Sequence, residues 1–378
     1  MKNLISVTTT LFFLSFLQAC FGQQAISDSL KAIGDEFKAV GISVVVVKDG
    51  APVFQTAVGS KNLETGEPLA VTDIFRIASI SKSFSATAIM QLVEHGRLSL
   101  DADFGELIGF PVRNPKFPNT PITLRMVLSH TSSISDKNGY FNLDVINPEK
   151  NPNWRDAYND YEPGKGYQYC NLNFNMVGAV LERQTGERFD SYIKRRILDP
   201  LKLYGGYCVD SLDHSSFVTL YDYDTVSSRF IPQPTAYHPR RAELQTYKLG
   251  ESTPVFSPTG GMKISAVDLA AYMIMHMNGG EYKGVRLIKP QSSATMQTPV
   301  AEGRNYGLAL EKTDQILDGI DLVGHTGSAY GLHSAMFFHP KERYGFVLVT
   351  NGCIPTYKND YPLITTRIIN FLYRNFIQ

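Results

Sequence analysis

Apolar residues recur along this chain at two spacings, and the switches between them predict strands near both ends with helices between. Ser27 to Val40 carries Leu30, Ile33 and Phe37 at helical spacing. Gly41 to Val47 is a β-branched apolar run, Asp49-Gly50 is a two-residue turn signal and Val53 to Val58 returns, which predicts a hairpin. Phe84, Ala88, Ile89, Leu92 and Val93 resume the helical period, predicting an amphipathic helix that Gly96 stops in a left-handed conformation. A short helix at Thr123 to Ser129 and a polar loop at Asn142 to Asp160 follow. Next come helices at Phe174 to Thr185, closed by Gly186, and Phe189 to Leu198, stopped by Asp199-Pro200. Tyr204 to Ser257, rich in Tyr and Pro, predicts a hairpin or a long flap. Beyond Gly260-Gly261, Ser265 to Asp268 forms a capping box for a helix at Leu269 to Met277. Strand-like runs then occupy Tyr306 to Leu310, Leu322 to His325, Leu332 to Phe338 and Tyr344 to Thr350, with turns at Asp318-Gly319 and Pro340-Lys341, and Ile364 to Phe376 is a last helix. The pattern predicts an α+β fold: a mainly antiparallel sheet built from residues about 24–72 and 258–378, flanked by N- and C-terminal helices. An all-helical subdomain, with its loops, is inserted at about 79–257, all within one domain over 24–378.

Composition narrows the class without choosing within it. Lys plus Arg and Asp plus Glu number 36 each, so no global field favours nucleic acid or an anionic membrane. The apolar content of 43% suits a sizeable core and excludes a disordered chain. Lys2, the apolar run Leu11 to Leu17 and the small residues Ala19 and Gly22 read as a secretory signal over residues 1–22, too short to span a bilayer. Leu17-Gln18-Ala19-Cys20 also resembles a lipobox, which would put a lipid anchor at Cys20; simple cleavage after Gly22 is the alternative. On either reading the protein is exported, periplasmic or secreted, with no transmembrane span and no nucleic-acid partner. Cys170, Cys208 and Cys353 are an odd number whose spacing fixes no pairing. No Cys, His or carboxylate run has metal-ligand spacing, so no metal or other cofactor is expected.

The chemistry concentrates in Arg76-Ile77-Ala78-Ser79-Ile80-Ser81-Lys82. Ser79 and Lys82 are three apart and share one face of a helix. A serine is a poor nucleophile until a base takes its proton, and a desolvated lysine, its pKa pulled down, can be that base. The spacing also occurs at Ser191 and Lys194, which read as an ordinary helix surface. Two further groups join the pair. Tyr169-Cys170-Asn171 follows the turn Glu162-Pro163-Gly164 and precedes a helix; a phenol beside an ammonium is expected to have its pKa lowered and to relay protons, and the amide to hold lysine and a substrate carbonyl together. Tyr-x-Asn by itself is weak, recurring at Tyr140, Tyr357 and Tyr373. His325-Thr326-Gly327-Ser328 ends a strand, where glycine lets a substrate backbone approach and the N–H of Ser328, with that of Ser79, would form an oxyanion hole.

In this order, the motifs resemble those of the serine β-lactamase and penicillin-binding superfamily. They are Phe75 to Lys82, Leu128-Ser129-His130-Thr131-Ser132, Pro163-Gly164 with Tyr169-Cys170-Asn171, Gly260-Gly261 and His325-Thr326-Gly327. The nearest branch is the class C β-lactamase-like one, which includes D-alanyl-D-alanine carboxypeptidases, esterases and D-aminopeptidases. The resemblance covers nearly all of the chain after the signal and implies a β-lactamase/transpeptidase-like fold. It further implies Ser79 as acylated nucleophile, Lys82 as base and Tyr169 as proton shuttle, with Asn171, His325, Thr326, Gly327 and Ser328 binding substrate. Three residues depart from it. His325 stands where β-lactamases carry lysine, which predicts weak binding of carboxylate-bearing β-lactams at pH 7 and recovery on acidification. Cys170 replaces a common serine and reads as a packed side chain. Ser133 replaces a glycine. The implied protein is a serine hydrolase acting on an amide or ester: a cell-wall D-Ala peptide, a D-amino-acid derivative, a β-lactam or a small ester. Loops such as Tyr204 to Ser257 are expected to set the choice among them, and a non-catalytic or slowly acylated penicillin- or peptide-binding receptor is the alternative.

Overall fold

The structure is a computed structural model that describes residues 23–301 and 304–378; the expected signal and Cys20 lie outside the described residues. Helix α1 (23–36) leads into the hairpin β1 (Gly41–Lys48) and β2 (Ala51–Gly59). Its turn holds Asp49 and Gly50 at φ of 54° and 74°, the left-handed pair that joins twisted strands. The chain continues through β3 (Ile74–Arg76), α2 (Ser81–Glu94), α3 (Asn171–Thr185), β4 (Lys263–Ser265) and α4 (Ala266–Met277). Then come β5 (Glu311–Leu317), β6 (Ile320–Ala329), β7 (Leu332–His339), β8 (Tyr344–Thr350) and α5 (Leu363–Phe376). Six strands form one antiparallel sheet in the order β5-β6-β7-β8-β1-β2, so the sheet closes from distant ends of the chain, as the pattern predicts.

The central strands read as unbroken apolar runs because both of their faces are covered. In β1, Ile42, Val44 and Val46 meet Leu30 of α1 and Ile364 and Ile368 of α5, whereas Val45 and Val47 face the main core with Leu269 and Met273 of α4. Phe346 and Leu348 of β8 face the terminal helices, and Val347 and Val349 face the other way. Period-two alternation is therefore present in the packing though hidden in the sequence.

Several elements differ from the sequence reading. Helix α2 is not amphipathic: every residue from Ser81 to Leu92 is buried. Its small hydroxyl side chains let neighbours come close and are satisfied locally, Ser83 donating to Ile80 O at 2.8 Å and Ser85 to Pro258 O at 3.0 Å. Tyr306 to Leu310 is not a strand. Leu308, Ala309 and Leu310 are apolar because they are buried in a loop, where the Leu308 and Ala309 N–H groups bond Met296 O and Leu128 O. Pairing starts only at Glu311. Asp199-Pro200 does not stop its helix, which passes through a π turn at Lys194–Leu198 and runs on to Leu201. Proline is tolerated there because it opens a turn whose N–H needs no partner. Within the otherwise helical and looped insertion, Tyr204 to Ser257 does hold a hairpin, Tyr221–Asp224 pairing with Arg229–Pro232, which is one of the two forms its sequence predicts.

Candidate active site

Ser79 lies in a single 3-10 turn, Ala78–Ile80, between β3 and α2 rather than inside the helix. Ala78 takes a left-handed φ of 49°, a strained conformation for a residue with a Cβ. The turn is pinned from two sides. Ser81 Oγ donates to Ala78 O at 2.5 Å, and Ser334 Oγ of β7 donates to Ile77 O at 2.9 Å. β6 lies directly against it: a Cβ on Gly327 would sit 2.3 Å from Ile77 O and 2.4 Å from Ser334 Oγ. Only glycine allows that approach.

Lys82, the second residue of α2, is fully buried and reaches three acceptors. Its Nζ donates to Ser79 Oγ at 3.1 Å, Asn171 Oδ1 at 2.9 Å and Thr259 O at 2.9 Å. Burial pulls its pKa down to about 7, with the Asp136 carboxylate pulling the other way. An amide oxygen and a backbone carbonyl only accept. When Lys82 loses a proton, those two keep its remaining hydrogens, and the lone pair is left for the Ser79 hydroxyl.

Asn171 opens α3 rather than preceding it. Its amide oxygen also accepts from Thr259 Oγ1 at 2.9 Å, and its Nδ2 donates to Asp136 Oδ2 at 2.9 Å. Asp136 accepts in addition the N–H groups of Asn171 and Leu172, both at 2.9 Å, and the Cys170 thiol at 3.2 Å. Asp136 therefore caps α3 from a separate loop and fixes the residue that fixes Lys82. Cys170 is a buried thiol whose pKa burial and Asp136 push up, in keeping with a packed side chain.

Tyr169 places its ring 4.7 Å from Lys82 Nζ, and its hydroxyl is buried without a partner within 3.5 Å among the described residues. The lowered phenol pKa expected from the lysine is not observed. Burial raises it instead, and the Ser79 hydroxyl beside it only moderates the rise. Tyr169 is thus a neutral phenol, a proton donor and relay rather than a standing base. His130 packs against it, tilted, with centroids 4.3 Å apart, and the His130 Nδ1 accepts the Cys170 N–H at 3.1 Å.

The Beta-lactamase family model matches residues 26–364. The chain belongs to the beta-lactamase family. It is 27% identical over 352 residues to penicillin-binding protein 4 of Amycolatopsis lactamdurans, covering 86% of this chain and 84% of that one. It is 24% identical over 333 residues to protein flp of Staphylococcus aureus, of whose length it spans 59%. Among solved structures, an octameric penicillin-binding protein homologue from Pyrococcus abyssi superposes with a TM-score of 0.71 at 26% identity, covering 93% of this chain and 77% of that one. The D-amino acid amidase of Ochrobactrum anthropi shares the fold, with a TM-score of 0.68 at 20% identity and coverages of 93% and 95%.

In this member of the beta-lactamase family, Ser79 opens onto a cavity of about 990 Å³ lined by Tyr167, Tyr169, Tyr306, Glu311, His325 and Thr326 among others. β5 pairs with β6 only as far as Gly324, so among the described residues His325–Ala329 is paired on one side, with β7, and leaves a free edge at the cavity. Thr326 and Ser328 lie on that edge; Ser328 Oγ is bonded to His333 Nδ1 at 2.7 Å. His325 turns inward. Its Nδ1 meets Thr326 O at 2.5 Å, which must accept, so Nε2 receives the Tyr306 hydroxyl at 2.9 Å. Burial and the Lys82 charge push its pKa down to about 3, so mild acidification does not charge it as the sequence reading expects. No lining residue comes from Tyr204 to Ser257; beside Ser79 and β6 the walls are Tyr167 to Tyr169, Arg304 to Tyr306, Glu311 to Gln315, Tyr357 and Asn359 to Pro362. The flap is therefore not what shapes the cavity. Ser133 keeps the glycine-like turn at φ 63°, its hydroxyl accepting from Asn114 at 3.0 Å.

Sequence reasoning missed Asp136, Thr259, Tyr306 and Glu311. Thr259 adjoins Gly260-Gly261, which signals a loop. Asp136 has no partner that a local pattern displays, and Tyr306 and Glu311, bridged to each other, reach the cavity only through the fold. Among the described residues no group of three or more metal-ligating side chains clusters, and no helix is long and apolar enough to cross a membrane.

Proposed function

We propose that this chain is an exported serine hydrolase that forms an acyl-enzyme at Ser79 with an amide or ester substrate. The observation that carries the reading is the coordination of Lys82, whose two fixed acceptors leave its lone pair for Ser79 alone. The Ser79 oxygen attacks the substrate carbonyl carbon while its proton passes to Lys82 Nζ. The N–H groups of Ser79 and Ser328 face the developing oxyanion. As the intermediate collapses, the Tyr169 hydroxyl protonates the departing amine or alcohol and is reprotonated from Lys82. The acyl group remains esterified to Ser79 until water, giving a proton through the same pair, releases the acid. Asn171 holds Lys82, and the free edge at Thr326 pairs with substrate backbone.

Cell-wall peptides and D-amino-acid derivatives come first as substrates and short esters second. The inward His325 offers no charge to the carboxylate of a β-lactam, and the kinship with penicillin-binding proteins and the amidase fold supports a peptide-like acyl donor. Incubation with a D-Ala-D-Ala peptide, a penicillin and a short ester, followed by intact-mass analysis and turnover assays, tests the reading. Product release with a transient mass increase on Ser79 supports it. A stable adduct without turnover would make the chain a receptor.

A further inference from the structure

Glu311 is the one carboxylate among the cavity-lining residues that the chemistry above does not use and that stands in the wall rather than on the rim. It is the first residue of β5, opposite Gly324 and one step along β6 from His325, so it shares the cavity with Ser79. It accepts one side-chain hydrogen bond, from the Tyr361 hydroxyl at 3.0 Å. No Lys, Arg or His among the described residues pairs with it. Lys312, its neighbour in sequence, is bound to Asp321 at 2.7 Å, and Arg304 lies over the Tyr167 ring, 5.1 Å from its centroid. Burial raises the Glu311 pKa to about 7, which is the behaviour of a carboxylate lacking a cation.

Resting on the hydrolase reading above, we propose that Glu311 is the subsite for a substrate ammonium group, selecting acyl donors that carry a free amine. One carboxylate with one phenol is too sparse a donor set for a metal ion, which needs several oxygen ligands. The walls instead suit an alkylammonium. Tyr167, Tyr306 and Tyr361 line the cavity with the carboxylate and are kept neutral by burial, so they surround a cation with aromatic and hydroxyl groups and add no competing charge. The other charges in reach are Arg304 and Lys312, placed as above, and Asp314 and Asp360 on the exposed rim. His325 remains neutral. Lys82 beside Ser79 also changes charge near pH 7, and among the acidic groups of the wall Glu311 is the one that does so, charged above about pH 7 and protonated below.

The test uses matched fluorophosphonates that differ only in ending with a methyl or an ammonium group on spacers of two to five carbons. Labelling rates of the full chain are read by intact mass. The ratio of ammonium to methyl probe cancels Lys82, since both probes need it equally. For the best spacer the expected ratio is about tenfold at pH 8, the scale of one charge-assisted bond. It should fall toward one as pH drops through about 7. Glu311→Gln should bring the ratio at pH 8 to within about twofold of one, with circular dichroism confirming the fold. The wild-type pH series reads the same point if the variant does not fold. A wild-type ratio near one at every spacer, or one unchanged by Glu311→Gln or by pH, overturns the subsite while leaving the hydrolase reading intact. Absence of labelling by either probe takes down both.

Discussion

At the scale of single residues, the site runs on two displaced proton affinities. Lys82 is held near pH 7 by burial, so acylation should rise with pH through about 7 as the free base appears. Asp136 works against that burial. Asp136→Asn should therefore move the acid limb to lower pH, because the charge that favours the ammonium is gone, and the maximal rate should fall as Asn171 loosens. A pH series of acylation rates for the two proteins checks both points. Tyr169→Phe removes a hydroxyl that no other described side chain bonds within 3.5 Å, so stability should change little while turnover falls by about a hundredfold. Steady-state kinetics beside a urea melt separate the two effects.

At the scale of elements, the site depends on how closely β6 lies to the turn that carries Ser79. Gly327→Ala puts a methyl where Ile77 O and Ser334 Oγ already stand, and either the strand or the turn must move. The expected cost is about 1–3 kcal/mol of stability, with a loss of kcat/KM well beyond tenfold. Denaturant unfolding and kinetics of the variant measure it. What the sequence displayed at this scale was whatever nearest neighbours decide. Asp49-Gly50 announced its hairpin, Ser265 capped Asp268 at 3.1 Å as its spacing implies, and Gly186 closed α3 at φ 69°. What it hid was decided at long range. The serines and threonines of α2 look solvent-facing, yet they are buried because their short side chains let α3 approach and bond within the fold, Thr87 to the Tyr272 hydroxyl of α4 at 2.8 Å. Tyr306 to Leu310 looks like a strand because a buried loop and a buried strand need the same apolar residues. Ser79, Lys82, Tyr169 and His325 were legible as motifs, whereas Asp136 is 35 residues from the Asn171 backbone it caps and follows no pattern.

At the scale of the whole molecule, the fold buries ionisable groups in their neutral forms, and its stability should record this. His276 and His325 are pushed down to about 3 and His333 to about 4, and burial with the Lys82 charge lowers His130 as well. Below pH 6.5 the unfolded chain binds protons that these side chains refuse, so stability should fall as pH drops toward 4. Glu311 acts in the opposite sense between about 7 and the ordinary carboxylate range, joined by Asp222 and Asp268, which burial also raises, whereas the lowered Lys263 acts with the histidines. The net loss by pH 5 should be on the order of several kcal/mol, read as a falling Tm across a pH series. Lys82 is held by Asn171 of α3 and Thr259 O so that it faces Ser79, and Ser79 is therefore the residue acylated. The direct measurement is peptide mapping by mass spectrometry after reaction with a fluorophosphonate, on the wild type and on Ser79→Ala. The expected result is a single adduct on the peptide carrying Ser79 and none in the variant, with both proteins folded. An adduct that persists in Ser79→Ala, or that maps to Ser191, would contradict it.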